Sequence, residues 1–163
     1  MQAREMPRQT EQPRFGNAEA SLFVPREDDG SCWTRTTHLG IGAHQDDLEF
    51  MALHGILECL HSGNPGFGGV TCTNGAGSAR TGKYAGYTDE MMVEVRRREQ
   101  DEAARLGSYS FMAQLGYGSG EIKSAEGRRL ATRDIQEVLR RSKPKVVYTH
   151  NPADKHDTQR GVF

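Results

Sequence analysis

Four short apolar runs alternate with three segments of helical period, and few folds accommodate that alternation. The runs occupy residues 39–43, 67–73, 109–115 and 145–150. Each is short, and the first, Leu39-Gly40-Ile41-Gly42-Ala43, suits a strand buried on both faces. After it, Phe50, Leu53, Ile56, Leu57 and Leu60 recur at helical spacing, which predicts one helix over 47–62 with these residues facing the core. Gly63-Asn64-Pro65-Gly66 reads as its stop. Thr88 reads as the N-cap of a second helix reaching residue 106, with Met92, Val95, Ala103 and Leu106 inward. A third helix is expected over 127–141, with Leu130, Ile135, Val138 and Leu139 inward and Pro144 just beyond it. The order βαβαβαβ implies an α/β fold, a Rossmann-like, mostly parallel sheet flanked by helices.

In such sheets ligands bind off the carboxyl ends of the strands. Three polar segments occupy that position: residues 44–49, 74–87 and 150–159. The N-terminal residues 1–35 read as an arm, partly disordered at its polar start, with Phe23, Val24 and Trp33 covering an edge of the core. Residues 36–163 then form the α/β domain. A further helix is expected to begin near Phe163, so the sheet reads as incomplete at its C-terminal end.

Charge and composition narrow the partners. With 21 basic and 22 acidic side chains the net charge is −1, which gives no global attraction to nucleic acid or to an anionic membrane. No apolar run approaches the ~18 residues needed to span a bilayer. Cys32, Cys59 and Cys72 are odd in number and widely spaced, as expected of free thiols in a reducing cytoplasm. A homo-oligomer is compatible with all of this.

The first polar segment, His44-Gln45-Asp46-Asp47-Leu48-Glu49, puts one imidazole and two adjacent carboxylates at a strand-to-helix turn. His44 and Asp47 are spaced to face one metal ion, leaving Asp46 to act on a water as a base. Equally, Asp46 and Asp47 could simply cap the helix. A second cluster, His150, Asp154, His156 and Asp157, follows another strand end, where the sheet would bring it beside His44.

Together these segments resemble a known family. Ala43-His44-Gln45-Asp46-Asp47-Leu48-Glu49 resembles the AHPDDE signature of the PIG-L/LmbE-like zinc deacetylases. Residues 150–157 resemble the second motif of that family, and the similarity extends over roughly 36–160. It takes in the loop after the second strand and Arg96 and Glu99 of the second helix. The resemblance implies that His44 and Asp47 ligate Zn²⁺, that Asp46 is the general base, and that His156 stabilises the oxyanion. It implies hydrolysis of an N-acyl, usually N-acetyl, group on a small amino sugar or glycoconjugate. Arg80, Lys83 and Tyr84 of the glycine-rich loop, with Arg96, are then the expected substrate-binding residues. This sequence departs from the motif twice. Gln45 stands where proline is usual, at a position given no ligand role, so no consequence is expected. Gln159 stands where the third ligand, a histidine, is expected, leaving Gln159, His150 or water to replace it.

Two other readings compete. A non-catalytic relative could keep the fold and a sugar-binding groove. Residues 77–83 also match GxxxxGK, the front of a phosphate-binding loop, but Tyr84 follows where that loop needs Ser or Thr.

Overall fold

The computed structural model describes residues 13–26, 30–63 and 66–162. Residues 1–12, the polar start of the arm, and Asn64 and Pro65 of the expected helix stop lie outside the described residues. Five strands form one sheet: β1 (Ser21–Phe23), β2 (Thr36–Gly42), β3 (Gly66–Thr73), β4 (Phe111–Tyr117) and β5 (Val146–Thr149). Their spatial order is β1-β4-β3-β2-β5. β2, β3, β4 and β5 pair in parallel, and β1 joins the β4 edge antiparallel. The helices are α1 (Asp47–Met51), α2 (Leu53–Ser62), α3 (Asp89–Leu106), α4 (Ala125–Ser142) and α5 (Asp157–Val162). The mostly parallel α/β sheet expected from the alternation is therefore present.

The order carries a consequence for function. The chain leaves β2 toward β3 on one side and later returns to β5 on the other. β2 and β5 thus flank the point where the winding reverses, and ligands bind beyond such a point in open α/β sheets. Residues just past β2 and β5 are the two histidine-bearing segments.

Two apolar layers sandwich the sheet. Leu39, Ile41, Val70, Cys72, Phe111, Ala113 and Leu115 face α4, where Ala131 and Val138 are buried and Leu130, Ile135 and Leu139 pack alongside. Trp33 joins this layer, its ring centroid 4.4 Å from that of Phe111, and Phe15, Leu22 and Val24 pack on it. The opposite layer joins Leu48, Ala52, Ile56 and Cys59 to Phe67, Ala104, Tyr109 and Met112. Glycines in β2 set how closely α1 approaches. A Cβ at Gly40 would fall 2.9 Å from both Leu48 Cδ2 and the Phe67 ring, and one at Gly42 would fall 2.9 Å from Asp47 Cβ.

Two helical faces differ from the periodicity. The expected first helix is broken at Ala52 (φ −118°, ψ 14°) into α1 and α2. Its inward face is Leu48, Ala52, Ile56 and Cys59, because the bare backbone of β2 draws Leu48 down onto the strand. Phe50, Leu53, Leu57 and Leu60 point to solvent, Phe50 being 84% exposed. In α3, Met92 is buried as expected, but Leu106 is exposed and Gln100 is buried in a polar contact with the α1 corner. Thr88 caps α3 by accepting the Met91 N–H, and α4 begins two residues before its expected start because Ser124 accepts the Gly127 N–H.

Asp134 fastens residues near the start of the described chain to α4. One of its oxygens accepts the Gly16 N–H at 2.8 Å, and the other accepts the Tyr117 hydroxyl at 2.7 Å. Burial, with this hydrogen bond and the carboxylate charge, pushes the Tyr117 phenol well above its ordinary value. Unfolded tyrosine ionises near pH ~10, so above that pH the unfolded chain sheds a proton that the folded chain keeps. The contribution of Tyr117 is therefore complete below pH ~10 and is lost as pH rises beyond it; denaturant titrations should show Tyr117→Phe flattening that alkaline decline. Leu48→Ala should cost ~2–5 kcal/mol in the same assay, whereas exposed Phe50→Ala should stay within ~0.5 kcal/mol.

Candidate active site

The corner after β2 is fixed through its backbone. The Ala43 carbonyl accepts both the N–H and the hydroxyl of Thr73 at 2.8 Å, which ties the end of β2 to the end of β3. The Ala43 N–H points at His150 Nε2, 2.8 Å away, which ties it to the end of β5. His44 N–H donates to Asp47 Oδ2 at 2.7 Å and closes the turn. Between them Asp46 adopts a left-handed conformation, φ 81° and ψ −21°. Such a backbone costs a non-glycine residue on the order of 1–3 kcal/mol and persists where its surroundings over-determine it. Here the Asp46 N–H donates to Gln100 Oε1 and its carboxylate meets Arg96 Nη2 at 2.7 Å.

This turn sends the adjacent carboxylates to different places. Asp47 faces inward, its side chain 12% exposed. Besides the His44 N–H, its Oδ2 has His44 Nδ1 at 3.4 Å and His150 Nε2 at 3.1 Å. Its Oδ1 accepts from Gln159 Nε2 at 3.2 Å. Burial alone would raise the Asp47 pKa, but the hydrogen bonds from His150 and His44 outweigh it and hold the carboxyl well below the usual range. Asp46 turns outward onto Arg96, whose Nη2 also donates to the Gln45 carbonyl at 2.6 Å while Nη1 reaches Glu99 Oε2 at 2.6 Å.

The second cluster arrives as its position in the sequence suggests. His156 lies beside His44, ring centroids 5.1 Å apart and nearly perpendicular. Gln159, on α5, lies against Asp47. His150 is only 8% exposed, and its Nε2 stands between the Ala43 N–H and Asp47. A bare Nε2 accepts the Ala43 N–H, and an Nε2 that carries a hydrogen donates to Asp47 instead. Either way it braces the corner. Asp154 accepts the His156 N–H, and Asp157 pairs with Arg160 at 3.7 Å, so neither carboxylate joins the Asp47 group.

The loop residues sit further out. Arg80 pairs with Asp89 and donates to the Ala76 carbonyl. The Lys83 ammonium stands 4.8 Å from the Tyr84 ring centroid, and Tyr84 packs edge-on against Tyr87. Among the described contacts none joins Arg80, Lys83 or Tyr84 to His44, Asp46 or Asp47. The loop is anchored at Gly75 (φ 75°), where a Cβ would meet Gln45 Oε1 at 2.6 Å and the Arg96 side chain at 2.8 Å. The phosphate-loop geometry is missing: residues 82–84 form one tight turn, and the next helix starts only at Asp89, with acids in its first turn.

Sequence reasoning missed the polar residues that brace the corner. Gln45 is 2% exposed and donates to the Thr73 carbonyl at 2.9 Å, so a position expected to be silent is part of the scaffold. Glu49 Oε1 accepts from Tyr109 at 2.7 Å and from Gln100 at 3.1 Å. Gln114 reaches back to Asp101 and the Arg97 carbonyl. The available signal was a lone amide on each of two otherwise apolar faces, Gln100 in α3 and Gln114 in β4.

His44 and Asp47 could hold a divalent cation, with His150 on one Asp47 oxygen and Gln159 on the other as the neighbouring third groups. Among the described residues no three His, Cys, Asp or Glu side chains gather closely enough to hold one by themselves. Gln45→Leu should strand the buried Thr73 carbonyl and cost ~1–3 kcal/mol of stability, measured by denaturant unfolding.

Comparison with known proteins agrees with this fold. The sequence profile of the family described as PIG-L, GlcNAc-PI de-N-acetylase, matches residues 39–160. No curated protein matches the chain. Among solved structures, the conserved protein TT1542 from Thermus thermophilus is similar at 23% identity and a TM-score of 0.60, covering 78% of this chain and 51% of that one. The N,N'-diacetylchitobiose deacetylase from Pyrococcus horikoshii, complexed with its inhibitor MPG, is similar at 24% identity and a TM-score of 0.63, covering 77% and 45%. The chain thus spans about half the length of these relatives, and at such identity they speak for the fold. With the family profile matching most of the sequence and both of its motifs meeting at one corner, the chain belongs to the PIG-L family of de-N-acetylases.

Proposed function

We propose that the chain carries the site of a zinc-dependent hydrolase that removes an N-acetyl group from an amino sugar or its conjugate. The observation that carries this reading is the divided corner. His44 and Asp47 stand together on one side, Asp46 is turned away and held by Arg96, and His156 lies against His44. Membership of the family and the similarity to a chitobiose deacetylase support the substrate class.

The donors fit a metal in altered form. His44 Nδ1 and Asp47 Oδ2 are a nitrogen and an anionic oxygen 3.4 Å apart, the two donor types zinc takes most readily besides thiolate. Gln159 completes the set if its amide makes a half-turn and presents Oε1 in place of Nε2; a neutral amide oxygen is the weakest of the three donors. Bound there, Zn²⁺ would supply a Lewis acid and lower the pKa of water toward ~7.

The chain's own residues supply the rest. Asp46 takes the proton of the water that attacks the amide carbon and returns it to the amine as the carbon–nitrogen bond breaks. Arg96 holds that carboxylate at 2.7 Å, so Asp46 must turn from Arg96 toward the water to act, and the Gln100 contact fixes the backbone beneath it. His156 donates to the carbonyl oxygen as negative charge develops on it. The products are acetate and the free amino sugar.

The geometry of Gln159 also favours a second reading, a relative that keeps the fold and a sugar groove without catalysis. Zinc titration against a competing chelator separates the two. The chain should bind about one Zn²⁺, His44→Ala should lose it, and Gln159→His should tighten it by on the order of tenfold or more. Absence of zinc from both the natural chain and Gln159→His would sink the proposal. Acetate release from N-acetylglucosamine, measured on the zinc-loaded protein, should fall by ~10²–10⁴-fold in Asp46→Asn. Silence of both natural chain and Gln159→His despite bound zinc would favour the non-catalytic relative.

A further inference from the structure

Arg96 is shared between two carboxylates. Its Nη2 donates to Asp46 Oδ2 at 2.7 Å and to the Gln45 carbonyl at 2.6 Å, while Nη1 donates to Glu99 Oε2 at 2.6 Å. Asp46 and Gln45 belong to the corner after β2, whereas Glu99 lies one turn along α3 from Arg96 itself. Two of the three contacts therefore keep the guanidinium in place when Asp46 leaves it. The stem of the side chain is confined as well. Gly75 lies so close that a Cβ there would fall 2.8 Å from Arg96 Cγ and 2.9 Å from Arg96 Cβ.

This pair differs from the surface pairs elsewhere on the helices. Glu102 with Arg105, Glu126 with Arg129 and Glu137 with Arg140 have the same three-residue spacing, but their arginine side chains are 56%, 62% and 68% exposed. Water screens such pairs, and each contributes little. The Arg96 side chain is 19% exposed and reaches off its own helix to the corner.

A guanidinium that far out of water is costly to leave without a counter-charge. Were Asp46 its only carboxylate, the turn of Asp46 toward the attacking water would leave Arg96 uncompensated, and that cost would add to the barrier. With Glu99 at 2.6 Å the charge stays paired throughout. The mobile partner is Asp46. It is 57% exposed and sits on the turn, while Glu99, 45% exposed, rides on the same helix as Arg96.

We propose that Glu99 is a positioning residue for the base: it retains Arg96 while Asp46 swings to the water and back, and so sets how easily the base is released. This rests on Asp46 being the base of the proposed hydrolysis; the sharing of Arg96 requires neither metal nor substrate. Two measurements test it. In denaturant unfolding of the whole chain with a chelator present, Asp46→Asn should lose more stability in a Glu99→Gln background than in the natural chain, because Asp46 is then the sole carboxylate on Arg96. An equal or smaller loss overturns the proposal. In acetate release from N-acetylglucosamine by the zinc-loaded protein, Glu99→Gln should lower kcat on the order of tenfold with KM unchanged, and Glu99→Asp, which keeps the charge at shorter reach, should fall between. A rise in KM at constant kcat would make Glu99 a substrate contact, and an unchanged kcat would make it a surface residue; either result overturns the proposal. Silence of the natural chain would instead defeat the hydrolase reading and with it the catalytic role of Glu99, while the unfolding comparison would still report whether the two carboxylates share Arg96.

Discussion

The Asp47 carboxylate is the junction on which the site depends. Its two oxygens collect groups from three separate parts of the chain: His44 from the corner itself, His150 from the end of β5, and Gln159 from α5. Burying a carboxylate costs free energy unless such donors surround it, and here they do so well enough to hold it charged. Parallel pairing of β2 with both β3 and β5 makes this possible, because it delivers all three strand ends to one edge of the sheet.

A single backbone residue then separates structure from chemistry. Were Asp46 in a right-handed conformation, α1 would begin one residue earlier and both carboxylates would sit in its first turn. The left-handed Asp46 delays the helix, points its own side chain toward Arg96 and leaves Asp47 against the histidines. The strain is held in place by Gln100 and Arg96 from α3, a helix that itself packs on β4. The corner is therefore braced from behind by amides and a guanidinium, and its open side is left to His44 and His156. Without side-chain bulk at Gly40 and Gly42, α1 lies close enough to the strand for this bracing to reach.

Much of this was legible in the sequence, for definable reasons. Runs with strand or helix character and their order gave the parallel sheet, and the two histidine segments followed from where strands end. Helical facing was less legible. Phe50, Leu53, Leu57 and Leu60 recur at helical spacing yet lie outward, because the break at Ala52 and the glycines of β2 decide which side approaches the sheet. Neither effect is a property of the helix's own period. The short edge strand β1 was also hidden, since three residues carry no periodicity and only pairing with β4 defines them. The bracing amides escaped notice because a glutamine is readable as structural only once its partners, distant in sequence, are known.

The two glutamines that depart from the family motif show how far position outweighs residue type. Gln45 lies behind the corner, nearly sealed from solvent, and its amide N–H meets a backbone carbonyl at the end of β3. Proline has no side-chain donor, so this chain replaces the stiffness of a ring with a hydrogen bond across two strands. Gln159 lies on the open side, half-buried on a helix of six residues, and its amide meets the carboxylate that would carry a cation. There the same functional group substitutes a neutral dipole for an imidazole. The first exchange preserves the shape of the corner. The second keeps the approach to Asp47, and on the zinc reading proposed above it would weaken what the corner can hold, so that reading turns on which end of one amide faces Asp47.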